Sequence, residues 1–149
     1  MGDLRTEVQV VRLDPAIPLP ERARPGDAGV DLRAAQDVQL KAGERGLIPT
    51  GLALAIPPGY AGYVQPRSGL AAKKGLGLLN SPGLIDSGYR GEVKIVAINL
   101  DPHEVIHIRR GDRIAQLVIL AVPDCTYVEV EDLPTSERGS GGFGSSGIG

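Results

Sequence analysis

Glycine and proline are scattered so evenly along this chain that few windows remain in which an α-helix could run uninterrupted. In a helix interior glycine costs about 1 kcal/mol and proline about 3 kcal/mol relative to alanine. Twenty-one glycines and twelve prolines stand among the 149 residues, and no apolar stripe of helical period survives them. Short runs rich in Val, Ile and Leu recur instead, at residues 8–13, 38–40, 47–56, 60–64, 93–100, 105–108, 114–120 and 127–130. Several alternate with polar residues, as in Glu7-Val8-Gln9-Val10 and Tyr127-Val128-Glu129-Val130, the two-residue period of a half-buried strand. Lys41-Ala42-Gly43, Pro57-Pro58-Gly59, Asp101-Pro102-His103 and Arg110-Gly111-Asp112 supply turns between them. The pattern predicts an all-β domain, a sandwich or jelly roll. One short helix is expected at residues 68–74, opened by Ser68 as its cap.

Only 3% of residues are aromatic, so Val, Ile, Leu and Ala must fill the core. The length suits one domain with a real interior. A net charge of −2 argues against a protein that coats nucleic acid. No run is apolar for long enough to span a membrane, and the N-terminus lacks the basic-then-apolar pattern of a secretion signal. Cys125 has no second cysteine to pair with, so a buried thiol in a reducing compartment is expected. These features read as a soluble, cytoplasmic chain. Sandwich edges need covering, and oligomerisation is one way to cover them.

Five patches carry chemistry. In Pro25-Gly26-Asp27-Ala28-Gly29-Val30-Asp31-Leu32, Asp31 is either a turn residue or a carboxylate offered to a ligand. Pro66-Arg67-Ser68-Gly69-Leu70-Ala71 sets a guanidinium, a hydroxyl and a glycine amide before the expected helix, which suits an anion but also suits a capped helix with a surface arginine. Gly83-Leu84-Ile85-Asp86-Ser87-Gly88-Tyr89-Arg90-Gly91-Glu92 puts Asp86 and Tyr89 three residues apart in a glycine-bounded turn, read as the tip of a hairpin. Gly111-Asp112-Arg113-Ile114-Ala115-Gln116-Leu117 holds Gln116 inside an apolar strand, where its amide needs a partner. Arg113 reads there as a structural ion-pair partner, for Asp112 or across a subunit interface. Arg138-Gly139-Ser140-Gly141-Gly142-Phe143-Gly144-Ser145-Ser146-Gly147 has the composition of a disordered linker, yet its one phenylalanine suits stacking on a base. His103 and His107 have no metal-ligand spacing, so a zinc site is not expected.

Taken in order, the five patches resemble the motif set of the trimeric deoxyuridine triphosphatases (dUTPases), from about Asp27 to Gly147. The resemblance implies a distorted jelly roll (β-clip-like), assembled as a homotrimer with active sites between subunits, with no part for nucleic acid or membrane. It implies hydrolysis of dUTP to dUMP and pyrophosphate, which limits uracil incorporation into DNA and supplies dUMP for thymidylate synthesis. Asp86 is then the general base for the attacking water, and Asp31 holds Mg²⁺ through water, as expected of an ion that binds few carboxylates plus phosphate. Arg67, Ser68, Gly69 and Gln116 fall to the phosphates. Tyr89 lies against the deoxyribose and leaves no room for a 2′-hydroxyl. Uracil, with alternating acceptor and donor edges, is matched by backbone and neighbouring groups at Asn80, Leu84, Ile85 and Lys94. For Asn80, in Asn80-Ser81-Pro82-Gly83, a plain turn role weighs equally with direct contact. Residues 1–133 form the β domain, and 134–149 form an arm that closes over a neighbour's nucleotide. On that arm Arg138 meets the γ phosphate, Phe143 stacks on uracil, and Gly144, Ser145 and Ser146 wrap phosphate. Ser146 stands where many relatives have threonine, and keeps the hydroxyl.

Two other readings compete. A dCTP deaminase on the same scaffold needs a glutamate in the strand after the Asp86 turn, and Val93-Lys94-Ile95-Val96-Ala97-Ile98 has no carboxylate. A silent nucleotide-binding regulator would have lost Asp86, Arg138 or Phe143, and all three are present.

Overall fold

Ten strands and one helix account for the regular structure of the computed structural model, which describes residues 5–147. In chain order they are β1 (Gln9–Arg12), β2 (Val30–Arg33), β3 (Val38–Leu40), β4 (Arg45–Ala55), β5 (Tyr60–Gln65), α1 (Ser68–Lys74), β6 (Leu76–Leu78), β7 (Gly83–Ile85), β8 (Glu92–Asn99), β9 (Ile106–Ile108) and β10 (Arg113–Ala121). One sheet has the order β1-β4-β8-β6, a second the order β2-β10-β5-β7, and β3 with β9 forms a ribbon. Each pairing is antiparallel. Ile48, Leu52, Leu54, Ile95 and Ala97 of the first sheet and Leu32, Val64, Ile85, Ile114 and Leu117 of the second meet in one apolar cluster. Burying a side chain of this size contributes about 1.5–3 kcal/mol. The result is the expected all-β jelly roll.

Among the described residues two polar side chains lie inside, and both are satisfied. Thr50 Oγ1 donates to the Val93 carbonyl at 2.6 Å. Asn99 donates through Nδ2 to the carbonyls of Leu40 (3.0 Å) and Glu104 (2.8 Å), and its Oδ1 accepts from the Asp101 N–H at 2.9 Å. Asn99 thereby ties the β3–β9 ribbon to the end of β8. Near the middle of β4 the register shifts between Pro49 and Ala53, and Gly51 adopts a left-handed φ of 70°. Its carbonyl accepts from the N–H groups of Leu13 (2.7 Å) and Asp14 (3.2 Å), which moors the segment after β1.

Several expectations need correction. The alternating run 127–130 is no strand in the described structure: residues 122–147 carry neither helix nor strand, and most are exposed. A strand needs a partner, and this stretch departs from the sandwich after the Val122 N–H bonds to the Gly59 carbonyl at 2.8 Å. Cys125 lies on the same stretch and is exposed, not buried. Helix α1 spans the expected residues, but its cap is Arg67 in extended conformation, and no side-chain cap bond is made. Ser68 is its first helical residue. The Asp86 segment is not a hairpin tip, because β7 pairs with β5 in one sheet and β8 pairs with β4 and β6 in the other. Residues 86–91 cross between the sheets. Strand β6 escaped notice because Leu76-Gly77-Leu78 is three residues long with glycine at its centre. Of the two expected domain extents, residues 1–4 and 148–149 lie outside the described residues.

Candidate active site

Antiparallel register brings Asp31 on β2 opposite Gln116 on β10, and Gln116 opposite Gln65 on β5. Chain order then places Pro66 and Arg67 just beyond β5, at the same end of the sheet. Gln116 Nε2 donates to the Pro66 carbonyl at 2.9 Å, the partner its half-buried amide requires. Arg67 Nε pairs with Asp31 Oδ1 at 3.0 Å, and Arg67 Nη1 donates to the Arg113 carbonyl at 3.2 Å. Arg113 Nη1 lies 3.6 Å from Asp31 Oδ2. One carboxylate therefore sits between two guanidiniums at a half-open sheet end. Ser68 and Gly69 follow on the exposed first turn of α1, which has no acidic residue against an incoming anion.

Arg113 is an ion-pair partner as expected, but its partner within the chain differs from the expected one. It pairs with Asp31, not Asp112. In an unbroken strand, residues 113 and 116 would point to opposite faces. A register shift between Arg113 and Ala115 cancels that alternation, and Ile114 and Ala115 are consecutively buried there. The adjacent apolar pair Ile114-Ala115 was the available signal.

The second group lies at the other end of β5. Gly62 pairs with Ile85, so Asp86 stands near Ala61. From there to Pro66 is about 17 Å at roughly 3.3 Å per strand residue. Asp86 is exposed in a groove with Gly59, Tyr60, Ser87, Val122, Pro123 and Asp124. Its carbonyl accepts the Tyr89 N–H at 3.1 Å, closing the turn. Tyr89 is half exposed, and its hydroxyl donates to the Glu92 carbonyl at 2.9 Å. Glu92 Oε1 in turn accepts from the Gly51 N–H at 3.0 Å. Arg90 folds back, donating from Nη1 to the carbonyls of Ser87 (2.7 Å) and Tyr89 (3.0 Å). Ile85 is buried and Leu84 exposed on β7, while Asn80 is exposed before Pro82, which follows a cis peptide bond. Lys94 is exposed on β8 opposite Pro49, in the other sheet.

The third group stands apart from both. Arg138 Nε donates to the Gly141 carbonyl at 2.7 Å, and the segment continues as turns closed by Ser145 N–H to Gly142 C=O (3.1 Å) and Gly147 N–H to Gly144 C=O (2.9 Å). Phe143 has a left-handed φ of 51° and is fully exposed. Ser145 and Ser146 are exposed beside it.

For a metal, the described residues contain no cluster of three His, Cys, Asp or Glu side chains. Asp31 is the carboxylate paired with both guanidiniums, and Asp112 lines the cavity beside Arg67 and Arg113. That donor set fits a hard cation that keeps its waters and arrives with phosphate, and does not fit an all-protein cage.

A family model described as dUTPase matches residues 16–147. Among curated proteins, the deoxyuridine 5′-triphosphate nucleotidohydrolase of Thermobifida fusca (strain YX) is 54% identical over 146 residues, covering 98% of this chain and 80% of that protein. Among solved structures, the Staphylococcus bacteriophage 80alpha dUTPase with dUPNHPP is similar at a TM-score of 0.89 and 34% identity, covering 97% of this chain and 100% of that one. A point mutant of the dUTPase from phage phi11 of S. aureus, described for the coordination of a structural Mg(II) ion, is similar at a TM-score of 0.79 and 30% identity, covering 87% of this chain and 100% of that one.

Proposed function

The chain belongs to the dUTPase family and hydrolyses dUTP to dUMP and pyrophosphate, and we propose that it does so in sites shared between copies of itself, as a homotrimer. The observation that carries this reading is the separation of the site's parts within one chain. The groove at Asp86 has no lining residue in common with the cavity lined by Arg67 and Arg113, and Phe143 touches neither end. Exposed Tyr127, Val128, Val130 and Leu133 leading into the arm are apolar surface that a neighbouring copy would cover.

In this division, Asp86 takes a proton from a water aligned on the α phosphorus. The water oxygen bonds to phosphorus as the bridging oxygen leaves with pyrophosphate. Arg67, Ser68, Gly69 and Gln116 bind the leaving phosphates, using charge and donors that already converge. Mg²⁺ accompanying the triphosphate would be held through water by Asp31, where it would offset phosphate charge. Tyr89 walls the deoxyribose, and Asn80, Leu84, Ile85 and Lys94 serve the uracil. The arm, residues 134–149, brings Arg138 to the γ phosphate, stacks Phe143 on the base, and wraps phosphate with Gly144, Ser145 and Ser146. A cytoplasmic setting accords with the unpaired, exposed Cys125. Nucleic acid and membrane have no part in this reading.

Subunit mixing tests the sharing. A chain truncated before Arg138 and a full-length Asp86→Asn chain are each expected to be poorly active alone. Co-refolded with verified exchange, they should regain pyrophosphate release from dUTP, because an intact arm can then serve an intact Asp86. Complete absence of recovery would overturn the shared site.

A further inference from the structure

Gly91 does not belong to the glycines with positive φ, so its backbone makes no demand that alanine could not meet. Its demand is for space. A Cβ placed there would lie 2.5 Å from the Tyr89 hydroxyl oxygen, 2.7 Å from Cζ and 3.1 Å from Cε2. All three atoms belong to the far half of a side chain on an exposed turn, so an added methyl would displace the ring and leave the backbone in place. At Gly75 the opposite holds: φ is 70° and the obstacle is the backbone nitrogen of Asp101 at 2.9 Å. Glu92 completes the seat. Its carbonyl accepts the Tyr89 hydroxyl at 2.9 Å, and its carboxylate accepts the Gly51 N–H at 3.0 Å. The ring is thus referenced to the bulge of β4 in the opposite sheet from β7.

We propose that Gly91 is a positioning residue for sugar discrimination, its missing side chain being the space over which the Tyr89 ring is held. The proposal rests on the reading of Tyr89 as the wall against the deoxyribose. A wall excludes a 2′-hydroxyl only where it stands in contact with the sugar, and a methyl group beneath the ring is enough to move it off that plane. Glu92 fixes the ring's tip, Gly91 permits its approach, and neither touches the nucleotide.

The test measures kcat/KM for dUTP and UTP in the wild type, Gly91→Ala, Tyr89→Ala and the double variant, with melting temperature followed alongside. Gly91→Ala should raise the UTP-to-dUTP ratio by about tenfold or more with little change in melting temperature. In the Tyr89→Ala background the same substitution should add almost nothing, since the ring it displaces is gone. If Gly91→Ala fails to fold, the double variant should fold, because removal of the ring removes the obstacle. A double variant that also fails to fold would overturn the proposal, as would an unchanged ratio in Gly91→Ala beside a raised one in Tyr89→Ala. An unchanged ratio in Tyr89→Ala itself would remove the wall, and with it the role of Gly91.

Discussion

The guanidinium end of the sandwich and the C-terminal arm both carry residues assigned to phosphate, and they are built in opposite ways. At the sandwich end, Asp31, Arg67 and Arg113 hold one another at 3.0, 3.2 and 3.6 Å, and Gln116 holds the Pro66 carbonyl at 2.9 Å, before any nucleotide is present. On the arm, Arg138 bonds to its own turn and Phe143 has no surface against it. The first arrangement loses little entropy when phosphate binds. The second must order several glycines, each of which gives up more backbone freedom than any other residue. Two kinds of contribution follow. On the proposed reading, the body would supply placement, and the arm would supply contacts formed only with a whole substrate bound, which is where binding energy accelerates a reaction.

The largest expected effect separates chemistry from both. Asp86→Asn should lower kcat by a factor on the order of 10²–10⁴ while nucleotide binding survives, checked by single-turnover hydrolysis beside titration of a non-hydrolysable dUTP analogue. A near-wild-type rate would take Asp86 out of the mechanism. Next comes the arm. Truncation before Arg138 should cost about a hundredfold in kcat, with the melting temperature and the sedimentation coefficient of the proposed trimer kept. A fall in melting temperature comparable to that of a core substitution would mean the arm belongs to the body, and the contrast would collapse. Asn99→Ala sharpens the other side. It strands the carbonyls of Leu40 and Glu104 and should cost about 1–3 kcal/mol of stability, read by denaturant titration, without altering kcat.

The smallest effect is on acid stability. Arg110 side-chain bonds, then the Ala16 N–H, hold the Asp14 carboxyl below the usual carboxylate range, and the N–H groups of Glu104 and His103 do the same for Asp101. A depressed folded value favours the folded state above the unfolded value, about 3.9 for aspartate, and the gain is lost as pH falls through the folded value. Melting temperature should therefore be level above about pH 5 and decline below about pH 4, with a shallower decline in Asp14→Asn. Because Asp14 lies on the segment moored to Gly51, this decline should spare the arm.

The longer strands of the body were legible as runs rich in Val, Ile and Leu between turn signals, as along β4, β5, β8 and β10. Which sheet each strand joins was not. The turn at Asp86 has the local chemistry of a hairpin, and only the long-range pairing of β7 with β5 and of β8 with β4 and β6 separates its two arms. The motif at residues 67–69 was readable as residues, and its ion pair with Asp31 was not, since the two lie 36 positions apart in the chain. The run 127–130 misled for a related reason. Alternation marks a run able to pair as a strand, and no strand of the described residues pairs with this one.

Asp31 is an internal occupant of the place where two guanidiniums would receive a ligand. A small, singly or doubly charged ion must compete with a tethered carboxylate whose local concentration never falls, and it gains few contacts elsewhere to offset that competition. A triphosphate spans far enough to bring other oxygens, and a metal, into the same space. If the triphosphate binds at this end as proposed, the carboxylate would act as a threshold, favouring long polyanions over inorganic phosphate and over the monophosphate product. Product release and tolerance of buffer ions would then follow from one aspartate.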